Sequence, residues 1–544
     1  MTRRRNIIFL AAIGGLTSTI ALSTGLPAAK ADELADLRAT QANLRATQAN
    51  LHDNQELLQR RIDQLAQTAP RLMRPGEPGP VGVSMTGGSF PRSFLIPGTD
   101  TSIRVGGFAD MTIDYWLSGG PANGNITTTV GASGQLNVVP LDIHGQTVPG
   151  FPAMGNVVPV NTAHSRGHVY SQSSRESRLN VETRTPTPWG ESRTFVEFDF
   201  AGTNNFSQQN LVHVSNGLVP RLRLAYGTLG GFLAGQADSN FRDSDAEPET
   251  LDFGGPAGEA GPTRIPQVRY TLEGPLNSAW SLALEAPATD VITPAGLVET
   301  DTNVGGLPGG PGQVTSATTT GCVANGIVIS ATLGCTLTGD PAKNTAPDLT
   351  FASYWAQPWG HVDFRFVLRD LDFNDGRFVS KQFIGYGGGI SGDVKPGWFG
   401  WRKDDIVWQF TVGEGIGRYI YDNTNAALAT NYLAVPSTPA AARSVIVKPI
   451  GEFGAVLGYQ HFWLPELRST AAFGYSYYEI PSQLIGPTQS IVSNKELMTT
   501  HVNLIWSPVS FIDAGVEYMW GQRRVVANIR GSENTVIGKF RVKF

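Results

Sequence analysis

The chain has 544 residues and a formal net charge of −5, and only 16% of its residues are charged. This acidic balance argues against nucleic-acid binding, which requires a basic surface. The mean hydropathy is −0.12 although the chain contains 26 phenylalanines and 11 tryptophans, a combination expected of strands with one face in lipid and the other in water.

Residues 1–31 have the features of a secretory signal peptide. Arginines at positions 3–5 precede a largely apolar segment from Ile7 to Leu22, and Ala29-Lys30-Ala31 forms an A-x-A cleavage site. The polar residues at 17–19 interrupt the apolar segment, which favours a cleaved signal over a membrane anchor. No later segment reaches the roughly 18 consecutive apolar residues of a transmembrane helix, so this chain could cross a bilayer only with strands.

Residues 32–68 carry a seven-residue repeat that predicts a coiled coil on the periplasmic side. The segment LRATQAN occurs twice in tandem. The d positions are Leu37, Leu44, Leu51, Leu58 and Leu65, and the a positions are Leu34, Gln41, Gln48, Gln55 and Ile62. The leucine seam predicts self-association, with the glutamines fixing its register. A single helix lying on a neighbouring domain is the alternative, but it would not need leucine at strict heptad spacing.

Residues 69–92 are rich in proline and glycine, which predicts a linker without regular structure. From residue 93 to residue 544 apolar and polar residues alternate in one segment after another, which is the pattern of strands. In the first such segment Ile103, Val105 and Met111 oppose Arg104 and Asp110. The predicted fold class is therefore an all-β transmembrane barrel, preceded by an α-helical coiled coil.

The last segment is the strongest indication of a closed barrel. Val542 and Phe544 share one face of it, while Lys539, Arg541 and Lys543 share the other. An unpaired amphipathic strand at the end of a soluble protein would invite aggregation, whereas a barrel needs such a strand to complete its seam.

Short turns and long polar loops alternate between the predicted strands. The turns are Thr187–Gly190, Glu273–Pro275, Gln357–Gly360, Trp463–Pro465 and Ser507–Pro508, and the long loops are Ser118–Gly167, Asp238–Pro262, Thr289–Pro347 and Tyr421–Ala442. These two classes of connection match the periplasmic and extracellular ends of an outer-membrane barrel. The segments predict about sixteen antiparallel strands around a water-filled lumen, with both termini at the periplasmic end.

The chain contains two cysteines, Cys322 and Cys335, in a stretch rich in glycine and threonine. An exported chain meets an oxidising compartment, so a disulfide that staples a surface loop is the favoured interpretation. Two cysteines alone do not make a zinc site.

Several segments resemble the DcaP-like family of outer-membrane porins. They are SFLIPGTDTSI at 93–103, RLRLAYG at 221–227, GQADSNF at 235–241, LDFGGP at 251–256 and RIPQVRYT at 264–271. The resemblance implies a homotrimeric, sixteen-stranded channel with an N-terminal heptad stalk, in the outer membrane of a Gram-negative bacterium. It implies passive diffusion of small anionic solutes such as dicarboxylates, with outer-membrane lipid and lipopolysaccharide as further partners and no cofactor.

The alternation places a set of arginines on the lumen face. They are Arg104, Arg178, Arg184, Arg193, Arg221, Arg223, Arg269, Arg365 and Arg369. The guanidinium fork binds carboxylate in bidentate fashion and stays charged, so the candidate solute-binding residues are Arg104, Arg178, Arg221, Arg223, Arg264, Arg269 and Arg365. The alternative is that these charges only solvate a wide pore or pair with neighbouring acids.

The loop from Asp238 to Pro262 is acidic and is the candidate constriction loop. Its acids are Asp238, Asp243, Asp245, Glu247, Glu249, Asp252 and Glu259. Folded into the barrel, this loop is expected to face a wall formed by Arg221, Arg223, Arg264 and Arg269. The acids could instead favour cations or hold Ca²⁺, but the glycine and terminal glutamate of an EF-hand loop are missing, so no metal site is predicted.

Enzyme motifs are weak or missing. Gly387–Gly392 fits G-x-G-x-x-G, but no helix is expected after it, and the sequence has no H-E-x-x-H, Walker A or G-x-S-x-G motif. The sequence therefore predicts a porin without catalytic residues. A general diffusion pore, or a structural or adhesive outer-membrane protein, remains the alternative.

Overall fold

The computed structural model describes residues 87–119, 168–202, 219–261, 263–293, 296–298, 322–324, 327–329, 342–376, 378–398, 403–420, 426–432, 438–481, 484, 494–526, 528 and 530–544. The chain divides into two units, and the first, residues 1–86, lies outside the described residues. The predicted signal peptide, coiled coil and most of the linker therefore remain predictions. So does the disulfide, because Cys335 lies outside the described residues as well.

Sixteen antiparallel strands form one closed sheet, as the alternating sequence predicted. In chain order, the first eight are β1 (Ser102–Ser118), β2 (Val169–Ser173 and Arg178–Thr187), β3 (Gly190–Gly202), β4 (Val219–Leu229), β5 (Phe232–Asp238), β6 (Arg264–Gly274), β7 (Ser278–Glu285) and β8 (Asp348–Gln357). The others are β9 (Gly360–Asn374), β10 (Ser380–Val394), β11 (Asp405–Glu414), β12 (Gly451–Leu464), β13 (Leu467–Glu479), β14 (Asn494–Val509), β15 (Ile512–Val525) and β16 (Arg530–Lys543).

The barrel closes between its first and last strands. β16 pairs with β1 in the register Ile113↔Gly538, and the backbone of Phe544 exchanges hydrogen bonds with Gly107 at 3.0 and 3.3 Å. On its other side β1 pairs with both segments of β2, which are separated by a break at residues 174–177. The terminal amphipathic strand thus completes the seam, which removes the exposed edge that an open sheet would leave.

Two classes of connection separate the ends of the barrel. Tight turns join β2 to β3, β4 to β5, β6 to β7, β8 to β9, β12 to β13 and β14 to β15, and we call this end the short-turn mouth. Residues 395–404 join β10 to β11 at the same mouth. The other connections, among them the longest, leave from the opposite end, which we call the long-loop mouth. One of them, residues 239–263 between β5 and β6, is named L3 because it is the third connection at that end.

The apolar residues of each alternating segment lie on the outer face of the barrel, and the polar residues lie on the inner face. Val105, Leu457 and Phe364 are half-exposed on the outer face, whereas Asp110, Asp114 and their neighbours on the inner face are buried. Apolar side chains are stabilised in lipid, whereas charged side chains need water or a partner. Each strand is therefore stable with only one of its faces towards the lipid.

Several short elements lie outside the barrel sheet. Phe94–Leu95 pairs with Ser102 and Ile103, and Ala342–Lys343 pairs with the end of β9. Val291–Thr293, Gly296–Val298, Leu428–Thr430 and Val447–Pro449 form a four-stranded sheet, and Cys322–Ala324 pairs with Ile327–Ile329. The helical turns are Ser244–Ala246, Gly417–Tyr419 and Pro439–Ala442.

The largest apolar cluster lies among the long loops. Leu371 and Phe373, at the end of β9, pack with Val291, Leu428 and Val447 from the four-stranded sheet. All five side chains are at most 4% exposed, so these loops share a core of their own. Among the described residues, the helices are too short or too polar to cross a membrane.

The apolar band on the outer face predicts that a charged residue introduced there destabilises the barrel. We expect Leu457→Arg, near the middle of β12, to lower the free energy of unfolding by about 2–4 kcal/mol because it places a guanidinium in lipid. The measurement is urea unfolding in phospholipid vesicles, followed by tryptophan fluorescence.

Trp463→Arg is the matched control, since Trp463 is also exposed but lies at the short-turn end of the same strand. Its cost should be about 0–1 kcal/mol. Equal costs at the two positions would contradict the assignment of the lipid face.

A constriction between an inward-folded loop and an arginine cluster

L3 crosses the lumen and contacts the wall opposite its own strands. The amide of Ala257 donates to Thr499 of β14, and the amide of Ala260 donates to Gln409 of β11, both at 3.0 Å. The side-chain amide of Gln409 in turn donates to the carbonyl of Ala246 at 3.0 Å. A loop inside a barrel needs partners for its backbone groups, and these strands supply them.

Two glycines allow L3 to approach that wall closely. Gly258 has a φ of +83°, and a Cβ on it would collide with the carbonyl of Tyr475 in β13. A Cβ on Gly474 would collide with the backbone of Ala257. Any other residue at these positions would push the loop towards the centre of the pore.

Glu517 of β15 holds the middle of L3. Its carboxylate accepts the amides of Leu251 at 2.6 Å and Asp252 at 3.2 Å. His501 and Asn503 of β14 orient the same carboxylate at 3.0 and 3.1 Å. A charged acceptor with two amide donors fixes the loop strongly.

Most of the predicted loop acids hold L3 in place. Arg242, within the loop, donates to Asp238 at 2.5 Å and to both oxygens of Glu247 at 2.5 and 2.7 Å. Glu249 accepts two bonds from Arg468 of β13 at 2.5 and 2.6 Å. The expectation that these acids face the arginine wall is corrected, because their charges are used inside the loop and on the opposite wall.

The remaining acids of L3 follow two patterns. Asp243 accepts hydrogen bonds from His361 at 2.9 Å and from Ser391, and Asp245 accepts one from Tyr354 at 3.1 Å. Burial alone would raise the pKa of Asp243, but its bonds to His361 and Ser391 hold that pKa below its ordinary value. These contacts join the start of L3 to β8, β9 and β10.

Asp252 and Glu259 differ from the other acids of L3. Within the described part of the chain, neither carboxylate is bonded to an arginine, lysine or histidine side chain. Burial, together with the nearby Glu517 and Glu176, raises the pKa of Asp252 to about 6. Burial and the neighbouring Glu247 raise the pKa of Glu259 well above its ordinary value. The constriction therefore carries less negative charge than the sequence suggests.

The strands that face Phe253 of L3 carry arginines that form ion pairs with neighbouring acids. Arg221 makes a bidentate contact with Asp199 at 3.0 and 2.6 Å. Arg223 bridges Asp199 at 2.8 Å and Glu197 at 2.9 Å, and Arg178 reaches Glu197 at 3.5 Å. Three guanidiniums thus share two carboxylates, which leaves one positive charge in excess.

Phe253 brings L3 against these arginines. Its ring lies 5.4 Å from the guanidinium carbon of Arg175 and 5.7 Å from that of Arg221, within the range of cation–π contact. Arg175 occupies the break within β2, so alternation could not reveal it as an inward arginine. Neither Phe253 nor Arg175 was expected in the site from the sequence.

The side chains of Arg264 and Arg269 make no hydrogen bond or ion pair within the part of the chain that the structure describes. Arg264 lies within electrostatic range of Arg221, Arg223 and Arg242, which adds it to the same group. Arg269 is influenced by Glu285 and Asp238 instead, so the four-arginine wall is only partly assembled. We call Arg175, Arg178, Arg221, Arg223 and Arg264 the arginine cluster.

Two inward arginines do not reach the open lumen. The side chain of Arg365 is fully buried, donates to the carbonyl of Phe241 at 2.8 Å and lies beneath L3. Arg369 is also fully buried and binds Asp348 at 3.1 Å. The expectation that Arg365 contacts solute is therefore corrected: L3 covers it.

Arg104 lies elsewhere, near the short-turn mouth. It donates to Glu182 at 2.5 Å, and Arg184 and Arg193 bind the same carboxylate at 2.8 and 2.7 Å. Within the described residues, no group of three or more His, Cys, Asp or Glu side chains is placed to hold a metal ion.

Comparison with known proteins agrees with this architecture. A family model described as the Porin subfamily matches residues 91–325, and one described as the DcaP outer membrane protein matches residues 448–542. The outer membrane channel DcaP of Acinetobacter baumannii is 19% identical, with a TM-score of 0.55 over 83% of this chain and 99% of that chain.

The chain is therefore similar to the DcaP-like porins in two family models and in fold.

The chain is also similar to an anion-selective porin from Comamonas acidovorans, at 7% identity and a TM-score of 0.40, over 82% of this chain and all of that one. None of the curated proteins is similar enough to match the sequence. Both family models describe porins, and together with the barrel fold they support a channel of the Gram-negative outer membrane.

The shifted pKa of Asp252 predicts a pH-dependent selectivity. Because this pKa is raised to about 6, the side chain is neutral at pH 5 and becomes negative as the pH rises through 6. We expect the preference for chloride over potassium to fall between pH 5 and pH 7.5. The measurement is the reversal potential of single channels under a KCl gradient.

Asp252→Asn should keep the higher chloride preference at pH 7.5 and reduce its change with pH. Asp100→Asn is the control, because Asp100 is exposed just before β1, away from L3. If Asp252→Asn has the same pH profile as the unmodified channel, Asp252 does not set the charge of the constriction.

Proposed function

We propose that this porin is a passive channel for small anionic solutes, with dicarboxylates or related organic acids as the preferred class. The observation that carries the proposal is the arginine cluster opposite the anchored L3. The solute gradient drives uptake, and the residues of the chain attract and orient the solute without chemical change.

The charge balance of the constriction supports anion preference. Asp243, Glu247 and Glu249 are paired with His361, Arg242 and Arg468, and Asp252 and Glu259 have raised pKa values, whereas the arginine cluster keeps an excess of positive charge. A fixed positive wall raises the local concentration of anions, and several weak contacts allow release. Guanidinium groups also match the geometry of carboxylate.

A general diffusion pore is the second candidate. The pairing of Arg178, Arg221 and Arg223 with Glu197 and Asp199 favours it, because each ion pair cancels charge that would otherwise select anions. The two candidates differ in ion selectivity but not in conductance.

The arginines without a partner provide the test. We expect Arg264→Gln combined with Arg269→Gln to lower the chloride-to-potassium permeability ratio about fivefold, since charges about 4 Å apart in water interact by about 1 kcal/mol. Neither change breaks an ion pair within the described residues, so the barrel should fold normally. The reversal potential and the flux of succinate into liposomes are the measurements.

Arg443→Gln is the matched control, because it removes the same charge from an exposed position in a long loop. It should leave the permeability ratio unchanged. An unmodified channel that passes neutral sugars and succinate equally well would favour the general diffusion pore.

We further propose that the mature chain is a homotrimer whose N-terminal heptads form a periplasmic coiled coil, and that the barrel contacts outer-membrane lipid and lipopolysaccharide. The heptad leucines and the glutamines between them support self-association through one seam. The joint family and fold assignment supports a porin assembly around it.

Charges in the leucine seam should separate the helices. We expect Leu44→Lys with Leu51→Lys to make residues 32–68 about tenfold more sensitive to protease, corresponding to about 1.4 kcal/mol of lost protection. Ala39→Lys with Ala46→Lys, at the outward heptad positions, should have little effect. Equal sensitivity of both variants would contradict a coiled coil, and a monomeric mass in detergent would contradict the trimer.

A further inference from the structure

A second group of arginines lies near the short-turn mouth, on the inner faces of β1, β2 and β3. Arg104, Arg184 and Arg193 all bind the carboxylate of Glu182, which is almost completely buried between them. Arg184 also contacts Glu191 at 3.3 Å, and Arg193 donates to the hydroxyl of Tyr226 at 3.2 Å. Three positive charges meet two negative ones, so the group keeps one positive charge.

These arginines retain donors that face water. Their side chains are 25%, 31% and 31% exposed, in contrast to the fully buried Arg365. Each guanidinium carries five N–H donors, and the contacts to Glu182, Glu191 and Tyr226 use only some of them. The group can therefore accept an anion without losing the contacts that hold it together.

The N-terminal segment of the barrel unit covers this group. Residues 87–95 form a hairpin in which the amide of Ser89 donates to the inward-facing Ser102 at 2.9 Å. The hairpin places the ring of Phe90 at 4.5 Å from the guanidinium carbon of Arg184 and 5.5 Å from that of Arg104. Phe90 is only 7% exposed, so it is held among the arginines.

We propose that Arg104, Arg184 and Arg193 form a second anion-binding site at the short-turn mouth and that Phe90 partly covers it. The site lies apart from the arginine cluster, because Arg193 is six residues before Asp199 on β3, or about 20 Å along an extended strand. Its ligands are small carboxylates with two or more charges. The inference rests on the proposed anion channel, for which this site would be the last contact before the periplasm.

The experiment uses citrate as the probe and measures block of the single-channel chloride current from each side of a planar bilayer. A site near one mouth should let citrate block at lower concentration from that side. We expect Arg184→Gln with Arg193→Gln to raise the half-blocking concentration from that side about tenfold, which corresponds to about 1.4 kcal/mol of binding free energy. Block from the other side should not change.

The Phe90→Ala variant tests whether Phe90 covers the second site. Its half-blocking concentration of citrate from the short-turn side should be lower, because the arginines become more accessible. Arg104 still pairs with Glu182 in the double variant, so the buried carboxylate keeps a partner. Normal conductance in KCl and heat-modifiable migration on gels will show that the variants fold.

The outcomes separate this site from the main function. Equal block from both sides of the unmodified channel, or an asymmetry that survives in the double variant, would overturn the second site. An unchanged half-blocking concentration in Phe90→Ala would overturn the cover. A reversal potential without anion preference in the unmodified channel would instead count against the proposed function, regardless of the half-blocking concentrations of citrate.

Discussion

The constriction depends on buried side chains that take up the backbone hydrogen bonds of L3. A loop inside a barrel cannot pair with neighbouring strands, so its amides need other acceptors. Glu517, Thr499 and Gln409 supply them from β15, β14 and β11, and Glu285 accepts the amide of Asn240 at 2.7 Å. Without these acceptors the loop would have no fixed position, and the pore would have no defined constriction.

The same anchoring explains why the two sides of the constriction differ in charge. Three acids of L3, namely Asp243, Glu247 and Glu249, are paired with His361, Arg242 and Arg468 where the loop is attached. The face that remains towards β1–β4 carries Phe253 and Asp252, opposite the arginine cluster. The residues that attach the loop are therefore different from the residues of the same segment that face the arginine cluster.

The sequence predicted the barrel well because period-two alternation is a local property. It predicted about sixteen strands, most of the tight turns and the closing strand, although Ser507 and Pro508 lie within β14 and the turn follows Val509. It also placed Arg104, Arg178, Arg221 and Arg223 on the inner face. Alternation states which face a side chain occupies, but it does not state what lies against that face.

Most of the corrected expectations involve contacts between distant parts of the chain, and the bonds of Arg242 to Asp238 and Glu247 are the local exception. Asp243 meets His361, 118 residues away, and Glu517 meets Leu251, 266 residues away. No periodicity relates such positions, so the loop acids could not be assigned to anchoring, nor Arg365 to a place beneath Phe241. Arg175 was missed for another reason, because it lies in a break of β2 where alternation stops.

Incomplete neutralisation is common to the two arginine groups and has a physical reason. At Glu197 and Asp199, and again at Glu182 and Glu191, three guanidiniums share two carboxylates. The carboxylates orient the guanidiniums and reduce their net charge, so in the proposed anion channel each group would attract an anion without holding it for long. A conducting channel needs such weak successive contacts, since a fully unpaired array would retain a dianion and a fully paired one would not attract it.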